Sequence, residues 1–303
     1  MYMEDRGKDQ LIYSVPVDEK GKVVLPDMKD DVEYDKPFTI NPENTLVMAR
    51  GIGSTVKTGN LSWRVACLNL ESQGYTLINP VICHDICNDK WYNQIVFQQN
   101  DIRTPNTVLV RHSEGAEDAA KRLGNKFPMI LKTAVGSRGV GVIWSESLKA
   151  LHSVIQLLHR EDEFVDVLLQ EYIKTDYDVR VIIAAGEILG AIKRPVVGDD
   201  FRSNVSQGSE PVSHELTERE AQESLRSAES VQGQVVGVDF IPAKNRDKES
   251  PYFIEVNSTP GLMGIEAVLS GAAAKPLIKG KDRSITKEIL KMYMNRDNWT
   301  LDQ

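Results

Sequence analysis

The sequence runs to 303 residues with 44 acidic against 36 basic side chains, a formal charge of −8, and 41 % hydrophobic and 26 % charged residues. This balance suits a globular chain with room for two or three packed units, and it opposes non-specific nucleic-acid binding, which needs a basic surface. No apolar run approaches the roughly 20 residues of a membrane helix, and MYMEDRGKDQ has neither the basic nor the apolar region of a secretory signal. A cytoplasmic protein with no membrane or direct nucleic-acid partner is expected. Three cysteines, Cys67, Cys83 and Cys87, fit a reduced compartment. The VICHDIC segment lacks a CxxC spacing and a second ligand pair, so a structural or incidental role is expected for Cys83, His84 and Cys87.

In chain order, residues 1–45 are polar and acidic and read as a strand-poor extension, with a hairpin around Gly21. From NTLVMARG onward the pattern is strand, Gly/Ser/Thr loop, helix through LSWRVACLNLESQG, then strand YTLIN, a small βαβ unit. A helix follows over roughly 88–100. Residues 107–165 read strand, helix at 114–123, strand FPMILKTA, glycine-rich loop, strand GVIWS, and helix at 146–159. The stretch 166–270 is strand-rich with one helix, at 217–232, and the tail RSITKEILKMYMNR is an amphipathic helix.

Within FPMILKTAVGSRGVGVIW, Lys132 ends an apolar strand ahead of Gly136, Ser137, Arg138, Gly139 and Gly141. Glycines let backbone N–H groups turn toward a phosphate. The spacing is neither a Rossmann nor a Walker A loop, and a strand rather than a helix follows. It reads as a β-hairpin flap able to close over a nucleotide, or as a plain hairpin. Glu171 and Tyr172 lie where DVLLQEYI turns from strand to loop, with backbone suited to an adenine edge. Asp178 suits a ribose hydroxyl or a base, or is a turn residue. Lys193, Arg194, Arg202 and Asn204 concentrate donors in an otherwise acidic chain; phosphate or carboxylate contact competes with a solvated loop.

The strands QVVGVDFIPA and PYFIEVNS each interrupt an apolar run with acid, and Glu255 and Asn257 share a strand face. A hairpin centred near Asp247 sets Asp239 directly opposite Glu255. Two such charges repel unless a cation intervenes, one acid pairs with a neighbouring Lys or Arg, or one is protonated. Asp239, Glu255 and the Asn257 amide are hard oxygen donors that suit Mg²⁺.

Taken in order, the lysine, the glycine flap, QEYI, DVR, AIKR, DFRSN, VGVDF and IEVNSTPG resemble the ATP-grasp superfamily of carboxylate–amine ligases. DFRSNVSQGS and EVNSTPGLMGIE are most similar to the RimK-type glutamate ligases, which add glutamate to the C-terminus of a small-subunit ribosomal protein. The resemblance runs from about residue 46 to 268. It implies an α/β (α+β) ATP-grasp fold, in which a small N-terminal βαβ domain precedes two α+β subdomains gripping ATP between them. The expected units are an extension over 1–45, a pre-ATP-grasp domain over 46–90, a central lid subdomain over 91–165, and a C-terminal subdomain over 166–303.

The resemblance also implies roles. Lys90 and Lys132 would grip the nucleotide phosphates under a flap containing Ser137, Arg138 and Gly139. Glu171 and Tyr172 would frame the adenine, and Asp178 would bind the nucleoside. Arg202, Ser203 and Asn204 would meet the reacting phosphate and the substrate carboxylate, with Arg180 and Arg194 as further catalytic candidates. Asp239, Glu255 and Asn257 would hold Mg²⁺, or Mn²⁺ in its place. The implied partners are ATP, L-glutamate and a peptide or protein C-terminus, with a dimeric or tetrameric assembly.

Residues 1–45, the loop 243–250 and the tail after 268 depart from the family pattern. The expected reaction passes through an acyl phosphate and leaves little covalent chemistry to side chains. This agrees with the lack of a Ser/His/Asp or Cys/His set. His84, His112, His152, His159 and His214 fall outside the motifs, at expected surface or helix positions. Two other readings are an ATP-grasp ligase of a small-molecule acceptor, LysX-like or glutathione-synthetase-like, and a non-enzymatic nucleotide-binding regulatory module.

Overall fold

A computed structural model describes residues 2–6, 9–13, 38–43, 45–49, 61–135, 142–161, 165–196, 211–270, 285–295 and 297. The N-terminal stretch is not strand-poor. Strands β1 (Tyr2–Arg6), β2 (Asp9–Tyr13) and β3 (Phe38–Ile40) form an antiparallel sheet in that order. Their charged sequences, YMEDR and DQLIY, carry too few apolar residues for a strand signal. The hairpin expected around Gly21 lies outside the described residues.

The βαβ unit is present as expected. Strand β4 (Leu46–Met48) runs parallel to β5 (Thr76–Ile78), with α1 (Leu61–Ser72) between them in sequence. Cys67, Leu70, Tyr75, Leu77 and Val81 form its core with Ile40, whose carbonyl accepts a 2.8 Å hydrogen bond from the Tyr75 hydroxyl. Two helices follow, α2 (Val81–Asn88) and α3 (Lys90–Gln99). They are separated by Asp89, whose extended backbone (φ −116°, ψ 112°) lets its carboxylate accept from the N–H groups of Trp91 and Tyr92. An N-cap of this kind ends one helix and starts the next.

A four-stranded antiparallel sheet comes next in the order β6-β9-β7-β8, from β6 (Thr107–Val110), β7 (Met129–Thr133), β8 (Val142–Ser145) and β9 (Val167–Glu171). Helices α4 (Ala116–Arg122) and α5 (Leu148–Glu161) cover one face, where Ala116, Ala120, Leu151 and Ile155 pack on Met129, Leu131, Val167 and Leu169. Alternation along β7 therefore turns Ile130 and Lys132 to the other face. Strands β7 and β8 form the expected hairpin, with Met129 opposite Ser145 and Lys132 opposite Val142. Because β9 belongs here, this sheet extends to Glu171, past the break expected at residue 165.

The larger sheet has five antiparallel strands in the order β12-β11-β10-β13-β14: β10 (Tyr177–Ala184), β11 (Glu187–Pro195), β12 (Val212–Ser213), β13 (Val235–Ile241) and β14 (Tyr252–Asn257). One face carries Val179, Val181, Ile183, Val236, Val238, Phe240, Phe253 and Val256, buried with residues of α2, α3 and α6 (Glu218–Ser230). On the other face, Ile182, Ala184, Ile192 and Val235 pack with Ile265, Ile285, Ile289 and Tyr293 from α7 (Met263–Ser270) and α8 (Ile285–Met294). The tail helix agrees with expectation. Helix α7 corrects the reading of 166–270 as holding a single helix; at eight residues it is too short for a clear period.

Candidate functional site

The second face of the five-stranded sheet is apolar at one end and charged at the other. Along β10 the alternation that buries Val179 and Val181 turns Asp178 and Arg180 the opposite way. Arg194 of β11 stands directly across from Asp178, and Asp239 of β13 directly across from Arg180. Strand β14 completes the row, because Asp239 is paired with Glu255 and Gly237 with Asn257. This is the register expected from a hairpin centred near Asp247. The ladder shifts between Asp239 and Phe240, leaving Ile254 as an extra residue on β14. That bulge lets Phe253 join the core while Glu255 and Asn257 stay on the polar face.

The row is held by charge pairs. Arg180 donates to both oxygens of Asp239, Nε to Oδ1 at 2.7 Å and a terminal nitrogen to Oδ2 at 2.5 Å. Arg194 grips Asp178 the same way, at 2.7 and 2.6 Å, and also reaches Asp239 Oδ2 at 3.1 Å. Burial pushes the Asp239 carboxyl up, but the Arg180 and Arg194 guanidinium groups outweigh it and hold the group below the usual carboxylate range. Burial likewise opposes the charge of Arg194, yet Asp239 and Asp178 raise its pKa overall. The repulsion expected between Asp239 and Glu255 is thus relieved on the Asp239 side by two arginines, the neighbouring-cation alternative. Asp178, expected at the nucleoside, is here the partner of Arg194.

Two lysines from outside this sheet lie within electrostatic reach of Glu255. Lys90 opens α3, and its backbone N–H donates to the Ala134 carbonyl at 2.9 Å while Asp89 bridges Val135, which joins the helix start to the end of β7. The Lys132 ammonium donates at 2.8 Å to Gln170 Oε1, and Gln170 in turn donates to Thr107 Oγ1 at 2.8 Å. Burial lowers the Lys132 pKa to about 8, with Glu255 opposing and Lys90 adding to that shift. Burial lowers Lys90 too, against the pull of Glu255 and Asp89. Lys90, Lys132 and Glu255 therefore share one electrostatic neighbourhood, and two partly desolvated ammonium groups are suited to a polyanion.

Of the two residues expected to frame an adenine, the Glu171 carboxylate accepts from the Asn106 N–H at 2.8 Å, and the Glu171 N–H donates to the Asn106 carbonyl at 3.0 Å. The side chain thus fixes the edge of the sheet. The Tyr172 ring meets Trp144 edge-on at 4.7 Å between centroids. Ser137, Arg138, Gly139, Arg202, Ser203 and Asn204 lie outside the described residues.

The donor chemistry fits a divalent cation. Asp239, Glu255 and Asn257 are two carboxylates and an amide on adjacent strands and one face, with the Asn257 amide nitrogen 3.2 Å from Glu255 Oε1. A carboxylate offers about four lone-pair sites. Three on Asp239 are taken by the arginines, which leaves one on Oδ1. Among the described residues no group of three or more His, Cys, Asp and Glu side chains could hold a metal ion. A set with only two carboxylates suits Mg²⁺, which completes its shell with water and substrate phosphates.

Two buried residues beside the candidate site were not anticipated from the sequence. Asn79 and Gln170 are buried and orient their neighbours, yet Asn79 sits in an unremarkable INP turn. Gln170 interrupts the apolar run VLLQE, which was the available clue. Of the histidines, His84 lies in α2 but is fully buried, and burial lowers its pKa to about 4. His214 is neither at the surface nor in a helix; it is buried beside Glu220, whose carboxylate also takes Arg246 at 2.7 Å.

Two lysines whose charges are felt at Glu255, beside the paired Asp239 and Glu255, fit the ATP-grasp resemblance of the motifs. Solved structures agree at the level of fold: D-alanine–D-alanine ligase from Bacillus anthracis complexed with ATP superimposes with a TM-score of 0.53 at 24 % identity, over 65 % of this chain and 64 % of that one. The RimK-like ATP-grasp domain matches residues 87–280, and the chain belongs to that family. A probable alpha-L-glutamate ligase of Rhodopirellula baltica is 33 % identical over 181 residues, which are 59 % of this chain but only 43 % of that protein. The ribosomal protein bS6–L-glutamate ligase of Escherichia fergusonii is 29 % identical over 225 residues, 74 % of this chain and 73 % of that one.

Proposed function

We propose that the protein is an ADP-forming ligase that joins L-glutamate to the C-terminal carboxylate of a peptide or protein in the cytoplasm. The observation that carries this reading is the cross-strand pair of Asp239 and Glu255, with Asn257 on the same face and the Lys90 and Lys132 charges beside it. The names of the glutamate-ligase relatives support the choice of glutamate and of a protein acceptor.

The two steps need little from the protein beyond positioning and charge. An acceptor carboxylate oxygen bonds to the γ-phosphorus of ATP as the bond to ADP breaks. The glutamate amine then bonds to the activated carbonyl carbon, phosphate leaves, and the amine gives up a proton. Lys90 and Lys132 would meet the phosphates, and Asp239, Glu255 and Asn257 would hold Mg²⁺. The bound cation would neutralise charge on the β- and γ-phosphate oxygens. Arg180 and Arg194 have bidentate geometry suited to a carboxylate, and their carboxylate partners here are Asp239 and Asp178. Arg202, Ser203 and Asn204 are assigned to the reacting phosphate and the substrate carboxylate.

A screen of amino acids against peptide, protein and small-molecule acceptors, read by intact mass, tests the proposal. Glutamate-sized additions to a polypeptide C-terminus are the expected result. Products confined to small molecules would refute the protein acceptor. Tight ATP binding without turnover across the whole screen would favour a regulatory module.

A further inference from the structure

The Asp239 and Glu255 strands part company just beyond the Gly237–Asn257 pair, the last rung of their ladder. The chain after Asn257 reaches Pro260, which has no N–H to donate and whose Cβ lies 2.9 Å from where a side chain on Gly237 would begin. A side chain from another unit occupies the opened ladder. The Asn79 amide nitrogen donates to the Val235 carbonyl at 2.8 Å and the Ser258 carbonyl at 2.7 Å, while its oxygen accepts from the N–H groups of Gln234 and Val235, both at 2.7 Å. The two carbonyls and two N–H groups fix which end of the amide is which. Asn79 is 1 % exposed, so this small clamp works in a medium where each bond is strongly felt.

The same turn is gripped a second time. His84 Nδ1 lies 2.9 Å from Ser258 Oγ, and the Ser258 backbone hydrogen-bonds the Cys87 thiol. The Asn79 backbone also hydrogen-bonds the His84 ring, which ties the imidazole to the same segment as the clamp. Asn79, His84 and Cys87 all belong to the β5–α2 segment, yet they converge on the residue that follows Asn257.

We infer that Asn79 and His84 are positioning residues for the cation site, fixing the spacing of the Asp239 and Glu255 strands and the place of Asn257 through Ser258. The inference rests on the metal reading above. Outer groups that orient a ligand typically set metal affinity by about 10- to 100-fold, whereas a purely structural clamp changes stability and leaves affinity in the folded protein alone.

Mn²⁺ titrated into the ADP complex and followed by electron paramagnetic resonance separates the cases, well below the melting temperature of each variant. Asn79→Ala, Ser258→Ala and His84→Leu are expected to bind Mn²⁺ about tenfold more weakly and to raise the KM for Mg-ATP more than they lower kcat. His84→Asn, which keeps a hydrogen-bonding atom at the Nδ1 position, is expected to recover most of the His84→Leu loss. Folded variants with wild-type Mn²⁺ affinity and only a lowered melting temperature would overturn the inference. If Asn79→Ala does not fold, the Ser258 and His84 variants decide it. A wild-type protein that binds ADP but no Mn²⁺ would instead remove the metal reading, and this inference with it.

Discussion

Lys132 is a cation whose charge is not secure. Burial and the neighbouring Lys90 lower its pKa to about 8, although Glu255 resists. A bound polyphosphate favours the protonated form, so above pH 8 nucleotide binding must take up a proton, and affinity falls as pH rises. Between pH 8 and pH 9 the ATP dissociation constant is expected to rise by up to about fivefold, measurable by calorimetry in two buffers of different ionisation enthalpy. Lys132→Arg should flatten that dependence, because a guanidinium keeps its charge throughout. A profile unchanged in that variant would dissociate Lys132 from the phosphates.

Glu255 supports a second expectation at the same scale. Asp239, its partner across the strands, is gripped by two arginines, whereas Glu255 lies near both lysines. Glu255→Gln keeps the shape and removes the charge. Turnover is expected to drop by about 10²-fold or more, with thermal unfolding close to wild type. Near-wild-type turnover would withdraw the metal assignment.

At the scale of elements, the β13–β14 hairpin is the part of the site most legible in the sequence. Apolar alternation broken by acid at 239 and 255, with a polar turn midway, was enough to set their pairing. The bulge at Ile254 was not legible, because it depends on how Phe253 packs edge-on against Phe97 at 6.2 Å. Nor was the double arginine grip on Asp239, which requires β10 to lie between β11 and β13, a strand order that local periodicity does not encode. Gly237 shows how tightly the turn sits on this hairpin. An added Cβ would lie 2.9 Å from Pro260 Cβ and 3.5 Å from Ile182 Cδ1. Gly237→Ala is expected to cost about 1–3 kcal/mol by overpacking and to weaken nucleotide-dependent cation binding, as read by chemical denaturation and by Mg²⁺-dependent thermal shift. Unchanged stability would mean that the 258–261 turn can move aside without cost.

Over the whole molecule, long apolar strands and helices with clear periods were readable, and so was the order of motifs that led to the ATP-grasp family. The charged N-terminal strands, the short helix α7 and the membership of β9 in the four-stranded sheet depended on tertiary pairing. The candidate site likewise draws on several parts of the fold: Lys90 from a helix start, Lys132 from one sheet, and the acids and arginines from the other, with Asn79 joining the βαβ unit to them. The most direct measurement is the identity of the nucleotide products, followed with ATP, Mg²⁺, glutamate and a polypeptide acceptor. ADP and orthophosphate released in step with glutamate addition are the expected result. AMP and pyrophosphate, or hydrolysis indifferent to glutamate and acceptor, would contradict it.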